Sequence, residues 1–262
     1  MSIPSFLYKF YERLLRRQVF SGRTPHHVGL IVDGNRRYAV AKGLAKHSEG
    51  HKLGSDKLED FLSWCLDLNI KIVTLYGFST ENHNRSEEEV SEVMEIILKK
   101  FRTLQKDPVI KEEGVKIKVI GQRSSLSQEM NEEIDKVERM TEGHTEFQLN
   151  IALSYGGRAE IIDAVKEVAS KVKCGDLRVD DIDENLFAKH LYTEGMPDPD
   201  LIIRTSSRLA SNLSQRFPKN FIGSRGVTGT VRFKFAENEI VENNYLLSTI
   251  LKLLKQDNDL KD

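Results

Sequence analysis

Two cysteines, Cys65 and Cys174, are all that the 262 residues contain. They are too few and too far apart for a zinc site, and two such residues do not imply a disulfide, so a reducing cytosol is the expected setting. Charge of one sign is missing too: 39 Lys and Arg against 40 Asp and Glu leave a formal charge of -1. That balance argues against a nucleic-acid binder built on bulk electrostatics. No apolar run is long enough to span a bilayer, and the N-terminus lacks the apolar stretch and small-residue cleavage site of a signal peptide. Repeats and low-complexity linkers are absent. Tryptophan occurs once, as Trp64. With 39% hydrophobic residues the chain has enough apolar matter for one substantial core, and nothing in it demands a second domain.

At the N-terminus, Phe6, Leu7, Phe10, Leu14 and Leu15 recur at near-helical spacing among Lys9, Arg13, Arg16 and Arg17. This is the pattern of a basic amphipathic helix over residues 1–25, which either packs on its own domain or lies on a membrane surface. Beyond it, short apolar runs alternate with longer charged helical stretches. The runs Val28 to Val32, Ile70 to Tyr76, Val115 to Ile120, Phe147 to Leu153 and Leu201 to Ile203 read as strands. Helices are expected over Asp56 to Asp67, Ser86 to Leu104, Ser127 to Glu142 and Ala159 to Val172. Such alternation predicts an α/β fold with a mostly parallel central sheet, helices on both faces, and ligands at the carboxyl ends of the strands.

The segment His27 to Tyr38 is the most telling, because an apolar run ends abruptly in Asp33-Gly34-Asn35-Arg36-Arg37. Taken alone, Asp-Gly-Asn is an ordinary turn. It also has the parts to hold a phosphate and a hard cation together: arginines and helix-start N–H groups for the anion, a carboxylate for the metal.

Its company decides between these readings. Downstream come Glu49-Gly50-His51, then Phe78-Ser79-Thr80-Glu81-Asn82-His83-Asn84-Arg85, then Tyr155-Gly156-Gly157-Arg158, then Pro199-Asp200-Leu201-Ile202-Ile203-Arg204-Thr205-Ser206. In order and spacing this set resembles the cis-prenyltransferases, the family of undecaprenyl and dehydrodolichyl diphosphate synthases, over about His26 to Ser206. Asp-Gly-Asn-Arg-Arg-Tyr has the look of the archaeal and eukaryotic type.

The resemblance implies a single cis-prenyltransferase domain over 26–262 with an apolar tunnel for the growing chain. It implies Mg2+ as cofactor, with Asp33 as metal ligand and catalytic residue. The substrates would be isopentenyl diphosphate and an allylic primer, farnesyl or geranylgeranyl diphosphate, giving a precursor of a glycosyl carrier lipid. Gly34, Asn35, Arg36 and Arg37 would cradle the allylic diphosphate with Tyr38 beside them, and His51 would be a further contact. Lys46 stands one residue from where the family carries an arginine. Ser79, Thr80 and Glu81 would touch substrate, Arg85 and Arg158 would serve the site, and Arg204 would bind the diphosphate of isopentenyl diphosphate. Asn82 would be linked to proton removal; an amide is a poor base, so it more naturally orients the substrate while a diphosphate oxygen takes the proton. A homodimer is expected, or a heteromer, in the cytoplasm and with peripheral contact to its membrane.

Each motif also has a plainer role. His51 alone would be a capping or surface histidine, Ser86 with Glu87 to Glu89 is a helix start, and the 156–157 glycines make a turn. After Ser206 the pattern fails. The family continues with glycine, an acid and an arginine, then a serine-asparagine pair, a tryptophan-bearing helix and a metal-site glutamate. Here Arg208 and the Ser211-Asn212 pair remain, but Ser207 to Phe235 holds six cations and no Asp or Glu. Residues 207–262 are therefore atypical, either through divergence or through a reading-frame slip. Two functions follow: the synthase itself, or a catalytically impaired subunit or scaffold of a heteromeric cis-prenyltransferase. A phosphohydrolase would share the acid and the arginines but need a placed water.

Overall fold

The computed structural model describes residues 24–205 and 230–232. The expected N-terminal helix, together with Arg208 and Ser211, lies outside the described residues. The fold is α/β, and every strand pair whose register is defined is parallel. The described residues form two compact units, one of 24–73, 200–205 and 230–232, the other of Thr74 to Pro199.

In the first unit, β1 (His27–Ile31) pairs with β5 (Leu201–Arg204), and β5 with β6 (Thr230–Arg232). All five residues of β1 are buried, which is why the run reads as unbroken apolar sequence rather than alternating. Asp200 fastens the start of this pair: its Oδ2 accepts from the N–H groups of His26 and His27 at 2.7 and 2.9 Å. Two helices follow β1, α1 (Asn35–Ala41) and α2 (His47–Asp67).

The expected helix at Asp56 thus begins nine residues earlier. Gly50 and Gly54 weaken helix propensity on paper. Their lack of side chains instead admits a neighbour: a Cβ on Gly54 would fall 2.6 Å from Asn35 Oδ1, and one on Gly50 would strike the Asn35 carbonyl. The two glycines, one turn apart, form the seat of Asn35.

Strand β2 (Ile72–Tyr76) crosses the boundary between the units. In the second unit, β3 (Val115–Ile120) pairs in register with β4 (Phe147–Ala152), and β4 lies beside β2. Asn150 Nδ2, wholly buried, donates to Thr74 Oγ1 at 3.0 Å. The helices are α3 (Glu87–Leu104), α4 (Pro108–Glu112), α5 (Gln128–Thr141), α6 (Gly157–Cys174) and α7 (Glu184–Ala188). Ser86, Asp107, Ser127 and Asp183 cap four of them through side-chain oxygens.

Edge strand β3 has its outer N–H groups covered by α5: Ile117 N–H donates to Thr141 Oγ1 at 3.1 Å and Val119 N–H to Glu138 Oε1 at 2.7 Å. That leaves no unpaired row at those positions for another strand to join. Phe101, Ile117, Ile134 and Val137, each at most 2% exposed, fill the core beneath.

Candidate active site

Parallel pairing places strand ends of the same polarity together, so functional groups gather at the carboxyl ends within each unit. In the first unit the register sets Ile31 opposite Arg204. Two residues beyond Ile31, Asp33 meets Arg204, which donates through Nε and Nη2 to the single oxygen Oδ2 at 3.0 and 2.5 Å. Arg37, one turn into α1, stands 3.5 Å from Oδ1. Gly34, at φ 107°, caps α1 in a left-handed conformation that a residue with a Cβ rarely adopts.

Thr205 completes this arrangement and is the residue that sequence reasoning missed. Its Oγ1 accepts from the Asp33 N–H at 2.9 Å and donates to the Asp33 carbonyl at 2.6 Å, so the backbone of Asp33 is clamped on both sides. The signal was only its position after a strand ending in arginine. The structure therefore brings Asp33, Arg37, Arg204 and Thr205 together, and gives Arg204 an ion-pair partner in Asp33. Asn35 packs against α2, with Nδ2 3.5 Å from His51 Nδ1. Lys46 is the N-cap of α2, its N–H donating to Glu49 Oε1 at 3.0 Å. Arg36 and Tyr38 are exposed.

In the second unit, the loop after β2 meets the loop after β4. Gly77 and Phe78 donate their N–H groups to the Ala152 carbonyl, Tyr155 donates to Phe78, and Thr80 donates to Tyr155 at 3.0 Å. Ser79 begins a single 3₁₀ turn, Thr80–Asn84, closed reciprocally: Ser79 Oγ accepts from the Asn82 N–H, and Asn82 Oδ1 accepts from the Ser79 N–H at 2.9 Å. The Asn82 amide oxygen thus accepts from the backbone, while its Nδ2 is a donor. Gly156 lets Thr80 approach, since a Cβ there would lie 2.5 Å from Thr80 Oγ1. Arg85 is ion-paired with Glu89 at 3.0 Å, while Glu81 and Arg158 are exposed.

Residues 31–214 match the family model of undecaprenyl diphosphate synthase. A tritrans,polycis-undecaprenyl-diphosphate synthase (geranylgeranyl-diphosphate specific) of Methanopyrus kandleri is 48% identical over 76% of this chain and 73% of its own. An isoprenyl transferase of Thermus thermophilus is 45% identical over 78% of each. The fold is similar to that of lavandulyl diphosphate synthase from Lavandula x intermedia in complex with dimethylallyl diphosphate, with a TM-score of 0.75 at 30% identity, covering 87% of this chain and 95% of the other. The chain belongs to this prenyltransferase family.

As a prenyltransferase, the chain has a buried polar cluster behind the turn that leads into α6, which its motifs do not announce. Tyr155, 0% exposed, donates to Glu160 Oε2 at 2.6 Å, and Tyr76 donates to the Tyr155 carbonyl at 3.1 Å. Burial raises the Glu160 carboxyl above its usual range, opposed by hydrogen bonds from Tyr155 and from Tyr192 and Thr193. The Tyr155 hydroxyl is raised as well, by burial first and by Glu160 second. The cluster anchors the start of α6, whose first turn carries Arg158. Among the described residues, no helix is long and apolar enough to cross a membrane.

Proposed function

We propose that the chain is a Mg2+-dependent cis-polyprenyl diphosphate synthase that condenses isopentenyl diphosphate head to tail onto an allylic primer. One observation carries the reading: Asp33, delivered by a strand end, is gripped through Oδ2 by Arg204 and flanked at Oδ1 by Arg37. The name of the Methanopyrus kandleri relative supports geranylgeranyl diphosphate as the primer. The product would be a long-chain precursor of a glycosyl carrier lipid, housed while it grows in an apolar tunnel.

The donor set suits the metal. Among the described residues no three His, Cys, Asp or Glu side chains converge as a cage. Mg2+ does not need one, because it takes one or two carboxylates and fills its octahedron with waters and substrate phosphates. Bound by Asp33, it would neutralise the charge that develops on the departing diphosphate. Arg204 and Thr205 hold Asp33 in place. Gly34, Asn35, Arg36, Arg37 and Tyr38, with Lys46 and His51, receive the allylic diphosphate. Ser79, Thr80, Glu81, Arg85, Arg158 and Arg204, with Arg208 and Ser211, serve the remaining substrate contacts. Asn82 donates through Nδ2 and orients the condensing substrate, and the proton leaves to a diphosphate oxygen, since an amide is a poor base. A homodimer in the cytoplasm, with peripheral membrane contact, accompanies this reading.

A second reading has its own observation. The stretch Ser207 to Phe235 has no Asp or Glu, and the family match ends at residue 214. A heteromer's impaired or scaffolding subunit would fit that loss. Incubating the full chain with Mg2+, labelled isopentenyl diphosphate and geranylgeranyl diphosphate separates the readings. The synthase gives a ladder of extended products, and Asp33→Ala lowers the rate by about 10²- to 10³-fold. No incorporation supports the scaffold, and phosphate release without extension overturns both in favour of hydrolysis.

A further inference from the structure

His83 stands inside the 3₁₀ turn that carries Asn82, yet the proposed condensation gives it no work. Its Nε2 lies 2.8 Å from Ser154 Oγ, a residue 71 positions away at the end of β4. Ser154 is 0% exposed and adopts φ 46°, one of only two non-glycine residues with positive φ among the described residues. A left-handed serine costs free energy and persists where its surroundings hold it. Here the holding groups are identifiable. The Ser154 carbonyl accepts from the Gln122 N–H at 3.2 Å, and its hydroxyl meets the imidazole. The other side of the ring stands edge-on to buried Phe78, with centroids 4.9 Å apart. His83 is exposed apart from these contacts, so an ordinary surface histidine has been drawn onto a strained, buried hydroxyl.

The consequence concerns Asn82. The turn's own bonds, Asn82 to Ser79 in both directions, fix the amide relative to the turn. Backbone bonds tie the front of the turn, Phe78 and Thr80, to Tyr155. The back of the turn, after Asn82, is joined to the β4 end by the His83 side chain. We propose that His83 is a positioning residue for prenyl condensation, locking the Asn82 turn against β4 through Ser154. A serine hydroxyl both donates and accepts, so this contact survives in either protonation state of the imidazole. His83 therefore acts through geometry and not as a base. The inference rests on the reading of Asn82 as a substrate-orienting group.

The test uses the full chain with Mg2+, labelled isopentenyl diphosphate and geranylgeranyl diphosphate, comparing His83→Phe, Ser154→Ala, the double variant, His83→Gln and Asn82→Ala. Phenylalanine keeps the contact with Phe78 and removes the hydrogen bond. The expected result is a fall in kcat of about tenfold for each single variant, because small misplacements of reacting groups have effects of this size. KM for the allylic primer should stay within about twofold, as its diphosphate contacts are elsewhere. The double variant should be no worse than either single one, as for two ends of one contact. His83→Gln, which can still reach Ser154, should recover most of the rate, and the pH profile of His83→Phe should keep the wild-type shape. Unchanged kcat in the single variants, additive losses, or a lost limb in the pH profile overturns the proposal. So does a rate loss in proportion to folded protein alone, measured by circular dichroism. Should His83→Phe fail to fold, Ser154→Ala removes the same hydrogen bond from its other end and decides the matter. Asn82→Ala separates the two claims. If it leaves the rate intact, or if the wild-type chain does not turn over, the underlying reading fails and this inference with it. If Asn82→Ala abolishes the rate and the His83 and Ser154 variants do not move it, only the inference fails.

Discussion

Thr205 shows how much of a functional group's accuracy comes from a neighbour that does no chemistry. Its hydroxyl accepts from the Asp33 N–H and donates to the Asp33 carbonyl, while Arg204 grips the carboxylate. Thr205→Val keeps the shape and removes both hydrogen bonds. It should lower stability by about 1–2 kcal/mol and turnover by about tenfold, read from urea melts and initial rates. Wild-type turnover in a folded variant would mean that Asp33 holds its place without the clamp. Gly50 makes a sharper case because propensity and packing disagree in sign. In an exposed helix, Gly→Ala gains up to about 1 kcal/mol. At Gly50 the new Cβ would lie 2.4 Å from the Asn35 carbonyl oxygen, so Gly50→Ala should instead lose about 1–3 kcal/mol and weaken primer binding. A raised melting temperature would contradict the seating of Asn35. Neither residue's role was legible in the chain. A threonine after a strand and a glycine in a helix have many uses, and only contact with Asp33 or Asn35 selects one.

Among the elements, those with a strong period were read closely. Expected strands at Val115 to Ile120 and Phe147 to Leu153 are observed at Val115–Ile120 and Phe147–Ala152, and the expected helix Ser127 to Glu142 at Gln128–Thr141. Apolar spacing and capping serines settle such segments locally. The first turns of α2 were not legible, because Gly50 and Gly54 speak against a helix until Asn35 is seen to need the space. The α6 start carries a prediction of its own. Glu160 has a folded-state pKa raised by burial, so between its ordinary value of 4.5 and the raised one the native state binds more protons than the unfolded chain. Stability from this group is then present at low pH and lost as pH climbs through that window. Glu160→Gln still accepts from Tyr155 and does not ionise. Its melting temperature relative to wild type should rise as pH increases from 4.5 to 8, and parallel curves for the two proteins would refute the assignment.

For the whole molecule, the enzyme reading implies that metal and primer stabilise the fold together by mass action. With geranylgeranyl diphosphate at a hundred times its Kd and Mg2+ present, stabilisation should approach about 2.7 kcal/mol. A domain of this size then melts several degrees higher, and a chelator should remove the part that depends on Mg2+. Asp33→Asn should lose that part and keep the rest. A shift indifferent to chelation in the wild type would detach Asp33 from the metal, whatever the assay shows. Composition speaks at this scale as well. A formal charge of -1 gives no bulk field to gather diphosphates, so on the enzyme reading their recognition would fall to placed cations such as Arg37 and Arg204.

By itself the sequence determined the class of fold, the order of the first five strands and the longer helices between them, and a family resemblance resting on residues such as Asp33, Asn82 and Arg204. Those features are encoded within short windows, as apolar period, punctuation and motif. The short helices α4 and α7 and the strand β6 were not read from the sequence. The tertiary structure decided which groups meet. Parallel register brings Ile31 beside Arg204, so that Asp33 and Thr205, 172 positions apart, exchange hydrogen bonds, and the β4 end gives His83 a buried partner in Ser154. Contacts of that separation depend on how strands pair and where loops cross, which no local stretch of chain encodes.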